Sequence, residues 1–248
     1  LLNVLDKTIK EADTYVQIKE NKLHELKKEA RKTPPFSVER YNLNNDIYLE
    51  YKAYSSDSAL HYLNENMLLA RQLNDKEREL KIQLELSYLL SSIGMYMEAA
   101  DILNSIDRQT LPSSLLGHYY TCYEHVYFEA GAAQPRYKMF ASRYVKLSHA
   151  YRDSMQITLD PSSATYLWLR ETQLREAGKY DEALEFSDRR LAESSFGTPQ
   201  YALVAYQRFR LFESMGKKDE HLYYLVLSAI SDAVSYTHLR AHETEADL

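Results

Sequence analysis

Two stretches, IGMYMEAADIL (93–103) and AGKYDEALEFS (177–187), share a pattern: Gly, any residue, Tyr, two residues, Ala. In each, an amphipathic run ends at the glycine and another begins at the tyrosine, which is how two helices joined by a tight turn are written. SDSALHYLN (56–64) carries the same second-helix start, and MGKKDEHLYYL (215–225) a degenerate one. The turn glycines predicted on this pattern are Gly94, Gly131, Gly178 and Gly216, spaced by 37, 47 and 38 residues. Proline predicts helix starts at Pro112, Pro135, Pro161 and Pro199, because a missing N–H costs nothing in the first turn.

Self-similarity at this period, with two helices per period, predicts an all-α superhelix. The helices are expected over 2–31, 37–54, 57–73, 76–93, 97–106, 112–130, 135–155, 161–177, 181–194, 199–215 and 219–232. The composition agrees, since 248 residues with only 6 Gly and 6 Pro leave too few turns for a β-sandwich. A chain that is 45% hydrophobic and 27% charged is built to fold. Its net charge of −6 gives no general attraction to nucleic acid or to an anionic membrane. One cysteine, Cys122, excludes an internal disulfide. No run approaches the roughly 18 apolar residues that cross a bilayer.

On the turn glycines Gly94 and Gly178, the tyrosines Tyr96 and Tyr180, and the small Ala99 and Ala183, the chain resembles the tetratricopeptide repeat (TPR) family. It departs from that pattern around Gly131, where the second helix is elongated, and lacks the usual Leu-Gly pair of the first helix. The resemblance implies a TPR-like α-α solenoid of about five helix pairs over 37–232, with a leading amphipathic helix at 1–33. TYVQIKENKLHELK (14–27), then YKAYSSDSALHYLNENMLLARQL (51–73), then tyrosine-rich repeats further resemble the extracytoplasmic part of an uncharacterised bacterial family of TPR regulators. That resemblance implies the periplasmic side of a membrane protein, with the cytoplasm as the alternative.

In such a repeat the first helix of each pair lines the concave face. Counting back from the glycines places Lys81, Tyr88, His118, His125, Trp168, Arg175, Tyr206 and Arg210 on that face, an aromatic and basic lining suited to a protein or peptide segment bearing carboxylates. The competing reading makes several of these aromatics core. The runner-up function is carbohydrate binding or processing, with Trp168 and Tyr206 as stacking platforms. Processing would need two carboxylates about 5–9 Å apart, and Glu213 alone stands at the margin. No catalytic motif, cofactor or metal is expected. In HYYTCYEH (118–125), His118, Cys122 and His125 share a helix face but offer no fourth ligand, so a structural role is favoured.

Three further stretches complete the reading. Leu5, Ile9, Ala12, Val16, Leu23 and Leu26 form a stripe in the leading helix, which either packs on the first repeat or self-associates with another chain. REAGKYDEALEFSDRRLAE (175–193) reads as a solvated face with acid before base. VSYTHLRAHET (234–244) shares no periodicity with what precedes it and back-translates in one frame to a sequencing-library adaptor. Residues 233–248 are therefore set apart as a non-native tail, and His238, His242 and Glu243 are not taken as a metal site.

Overall fold

The structure, a computed structural model, describes residues 1–133 and 136–235, which form twelve helices: α1 (Leu2–Lys10), α2 (Ala12–Lys32), α3 (Val38–Tyr51), α4 (Ser56–Gln72), α5 (Lys76–Ser92), α6 (Tyr96–Ser105), α7 (Ser113–Ala132), α8 (Lys138–Thr158), α9 (Ala164–Glu176), α10 (Tyr180–Ala192), α11 (Pro199–Ser214) and α12 (Lys218–Ser235). From α3 onward they pair as five antiparallel hairpins, an all-α helical-repeat fold.

The turn chemistry explains the pairing. Gly94, Gly178 and Gly216 have φ of 88°, 73° and 70°, in the left-handed region that favours glycine. At each, the next amide bonds back to a helical carbonyl: Met95 N to Leu90 O at 2.9 Å, Lys179 N to Leu174 O at 2.9 Å, and Lys217 N to Phe212 O at 3.0 Å. This is the Schellman cap, which satisfies carbonyls left over at a helix end. Asn74, at φ 51°, closes α4 in the same way with Asp75 N on Ala70 O at 3.0 Å. Five residues beyond Gly94 and Gly178 comes a small alanine, and both Ala99 and Ala183 are fully buried. Ala183 packs with Leu174 and Leu211, flanked by Tyr180, Leu184 and Met215.

Several expected boundaries move. Gly131 is not a turn residue; it lies in the last turn of α7, where the Tyr144 Cβ of α8 would stand 3.3 Å from an added Cβ. Its role is close helix approach. The leading helix breaks at Glu11, whose φ and ψ of −94° and 8° leave the helical region. α9 begins three residues after Pro161, because the Ser163 hydroxyl accepts from Tyr166 N at 3.2 Å and caps the helix there. Pro112 sits just before the first residue of α7, while Pro199 occupies the first turn of α11 as expected. Pro135 lies outside the described residues.

The described residues divide into two compact units, one within 25–160 and one of 1–24 with 161–235. In the first, Glu124 of α7 is buried and accepts from Arg152 Nε at 2.8 Å and Ser148 Oγ at 2.9 Å, both from α8. Beside them Tyr123 and Tyr151 stack at 4.6 Å and 4°, continued by Tyr127 and Tyr144. The many tyrosines of this region are helix-to-helix packing with a polar edge, as where Tyr123 donates its hydroxyl proton to Asn104 Oδ1 at 2.8 Å.

In the second unit, α1 lies against α12, with Thr8 buried. The leading stripe is thus divided. Lys27, in the later half of α2, donates to the hydroxyl of Tyr51 at the end of the first repeat helix at 2.6 Å. α12 continues through Val234 and Ser235, with Val234 Cγ1 against Gly197.

Candidate functional site

Three successive first helices, α3, α5 and α7, carry a connected set of polar and aromatic side chains. Glu85 of α5 stands at its centre. Tyr48 of α3 donates its hydroxyl to Glu85 Oε2 at 2.6 Å, and Lys52, one turn later, donates to the same oxygen at 2.9 Å. From α7, His118 Nε2 approaches Glu85 Oε1 at 3.7 Å. Tyr88, one turn along α5, stacks on His125 of α7 with ring centroids 3.9 Å apart and planes 9° from parallel. Lys52 Nζ lies 4.8 Å from the Tyr88 centroid, a cation over a ring face. Ser92 Oγ and His125 Nε2, 2.9 Å apart, close the far end.

The electrostatics follow from burial against partners. Burial works against the Glu85 carboxylate, but Lys52, His118 and the Tyr48 hydroxyl outweigh it and hold the group below its ordinary range. Burial lowers His118, with Lys52 and Lys81 adding to it and Glu85 opposing. Burial and Lys52 press His125 down to about 4. Burial raises the Tyr88 phenol to about 12 and Tyr48 likewise upward. Both imidazoles are therefore neutral near pH 7, hydrogen-bonding and stacking groups rather than cations.

Lys81, Tyr88, His118 and His125 are thus brought to one seam, with Lys81 exposed and the other three partly buried. The seam is less basic than its residue types suggest, because its histidines are neutral and Lys52 is matched by Glu85. Counting from glycines missed Tyr48, Lys52, Glu85 and Ser92. The turn after α3, Lys52 to Ser55, contains no glycine, so that helix had no index mark. Glu85 was legible as the residue four after Lys81 and three before Tyr88, on the same helical face.

Cys122 turns the other way. It is fully buried, its thiol directed to Leu84 O at 3.4 Å and its pKa pushed well up by burial. It therefore does not converge with His118 and His125. Among the described residues no group of three or more His, Cys, Asp or Glu is placed to hold a metal ion. His238, His242 and Glu243 lie outside the described residues.

The remaining candidates belong to the other unit. Trp168 and Arg175 are partly buried on α9. Tyr206 of α11 is 43% exposed and tilts against Phe209 at 5.4 Å, and Arg210 pairs with Glu213 at 3.3 Å on the surface. The charged stretch 175–193 is not wholly solvated. Arg190 is buried, pairing with Glu171 of α9 at 2.5 Å and with Gln207 of α11, because α10 packs between those helices. Glu171 nonetheless has its pKa raised, burial outweighing the opposing Arg190.

Stacked two-helix repeats with polar and aromatic side chains along first-helix faces define the class: a helical-repeat scaffold of the kind that typically binds proteins. The chain belongs to the family described as the SusR N-terminal TPR domain, whose pattern it matches over residues 9–239. That span takes in most of the leading helices as well as all five hairpins. No curated protein matches the chain. No described helix is long and apolar enough to cross a membrane.

Proposed function

We propose that this chain is a non-catalytic recognition module that holds an extended protein or peptide segment on its first-helix faces, as the sensing part of a bacterial regulatory protein. The observation that carries the reading is the Tyr88–His125 stack with Lys52 over the tyrosine face. Three elements are held there by mutual contacts before any partner arrives, which lowers the entropy cost of binding. Exposed Lys81, on the same seam, supplies a cation for a partner carboxylate. The Glu85 carboxylate is already engaged by Tyr48 and Lys52, so it acts as the anchor that aims Lys52 rather than as a reactive acid. Trp168, Arg175, Tyr206 and Arg210 are proposed as a second set of contacts on the first helices α9 and α11.

The test is a fluorescence anisotropy screen of the full chain against short acidic peptides, with soluble oligosaccharides as competitors. Lys81→Glu and His125→Gln should each weaken peptide capture about tenfold, the loss of one good polar contact. Peptide affinities left unchanged by both substitutions would reject the seam. Displacement by oligosaccharides with quenching of Trp168 would favour the carbohydrate-binding reading instead.

A further inference from the structure

The start of α8 is chemically unlike the rest of this acidic chain. Between Glu129 and Asp153 the sequence contains no acid and five lysine or arginine residues, Arg136, Lys138, Arg143, Lys146 and Arg152. Arg152 is buried on Glu124, but the other four are exposed, and among the described residues none has a carboxylate within 4.0 Å. Interleaved with them are large apolar side chains that the fold leaves in solvent: Tyr137 is 65% exposed, Met139 74% and Phe140 45%. The first turn of α8 contains no acid, so Arg136 and Lys138 stand at the positive end of the helix dipole, where they are locally unfavourable. Local helix stability does not account for them.

The arrangement selects the kind of surface it fits. Successive helical residues are rotated by about 100°, so Met139 and Phe140 point in different directions and Arg143 and Lys146 flank Met139. That is no single stripe of the sort a partner groove or a second amphipathic helix reads. It is an exposed apolar helix start with a basic collar. A bilayer interface is fluid and accepts side chains around the whole helix start, while lysine and arginine reach back to anionic headgroups. We infer that the start of α8 docks on an anionic lipid surface, with Tyr137, Met139 and Phe140 entering the interface and Arg136, Lys138, Arg143 and Lys146 meeting the headgroups.

The experiment is co-sedimentation of the full chain with vesicles of phosphatidylcholine alone, and of phosphatidylcholine with phosphatidylglycerol in equal amounts. The chain should sediment only with the anionic vesicles and be released by salt. Arg143→Glu with Lys146→Glu should weaken partitioning by about thirtyfold or more, at five- to sixfold per cation removed. Met139→Ser with Phe140→Ser should weaken it by at least about tenfold. All four positions are exposed, and unchanged melting curves would show that the variants fold. Equal sedimentation with uncharged vesicles, no sedimentation at all, or sedimentation indifferent to both double variants would overturn the inference. So would a dimer in sedimentation velocity that depends on the start of α8, which would give the apolar residues to a second copy.

Discussion

The first helices α5 and α7 in one unit and α9 and α11 in the other are built on the same repeat frame, yet they spend their polar residues differently. On α5 and α7, besides the inward Glu124–Arg152 pair, a half-buried cluster runs between first helices, where Glu85, Tyr88, His118 and His125 contact each other and Lys52. On α9 and α11 the strong polar contacts are turned inward: Glu171 and Gln207 both engage the buried Arg190, while Tyr206 and Arg210 stay near solvent. A repeat frame fixes where helices cross. It leaves free which face carries the charges.

Each half of that contrast can be broken. The largest effect should come from the buried pairs. Glu171→Ala takes the carboxylate from buried Arg190, and Glu124→Ala takes one from buried Arg152, each costing up to about 3–5 kcal/mol because a buried charge loses its counter-charge. Urea unfolding of the two variants measures both, and a loss below about 1 kcal/mol in either would mean that water reaches that arginine.

Acid should separate the regions next. The folded pKa of His125 lies near 4, below its ordinary 6.5, and those of His118 and Glu85 are also depressed. A depressed folded pKa contributes stability that is present above the unfolded value and lost as pH falls toward the folded one. Stability should therefore decline from pH 6.5 to pH 4, by on the order of 3 kcal/mol from His125 alone. His125→Gln should flatten the slope. Glu171, whose folded pKa is raised, acts in the opposite sense, favouring the folded state below the ordinary carboxylate range and losing that contribution as pH rises through its folded value. A pH profile unaltered in His125→Gln would remove the buried, neutral imidazole from the account.

The turns give a smaller contrast. Gly178→Ala should cost about 1–2 kcal/mol from left-handed backbone alone, since nothing lies within 4 Å of the added methyl. Gly131→Ala involves no such backbone, and its cost depends on whether the Tyr144 Cβ at 3.3 Å can yield. Thermal melts that are equal for Gly178→Ala and wild type would refute the turn assignment. The smallest effect belongs to Arg210→Ala, which removes an exposed pair worth about 0–1 kcal/mol. Its melting curve should match wild type, leaving only ligand affinity to respond.

The places where sequence was readable share a physical cause. Gly94, Gly178 and Gly216 are demanded by backbone conformation, and Ala99 and Ala183 by close helix contact, so one residue type is favoured at each and the pattern survives as text. Gly131 was misread because glycine serves two needs, a positive φ and a close approach, and the string does not say which. The break at Glu11 left no breaker residue to see. Lys52 escaped because the first hairpin has no glycine to index it; Glu85 stood on the indexed face of α5, but its partnerships join residues on separate helices.

The sequence by itself determined the repeat: the periodic turns, the helix pairing and the class of scaffold. Those features rest on local conformation and on contacts between adjacent helices, which leave a periodic mark. Only the tertiary structure decided that the histidines of the seam are neutral, that Glu85 organises it, that Arg190 is buried rather than solvated, and that the start of α8 is left bare. Burial and charge pairing are set by which helices pack across the chain, and distance along the chain does not encode them.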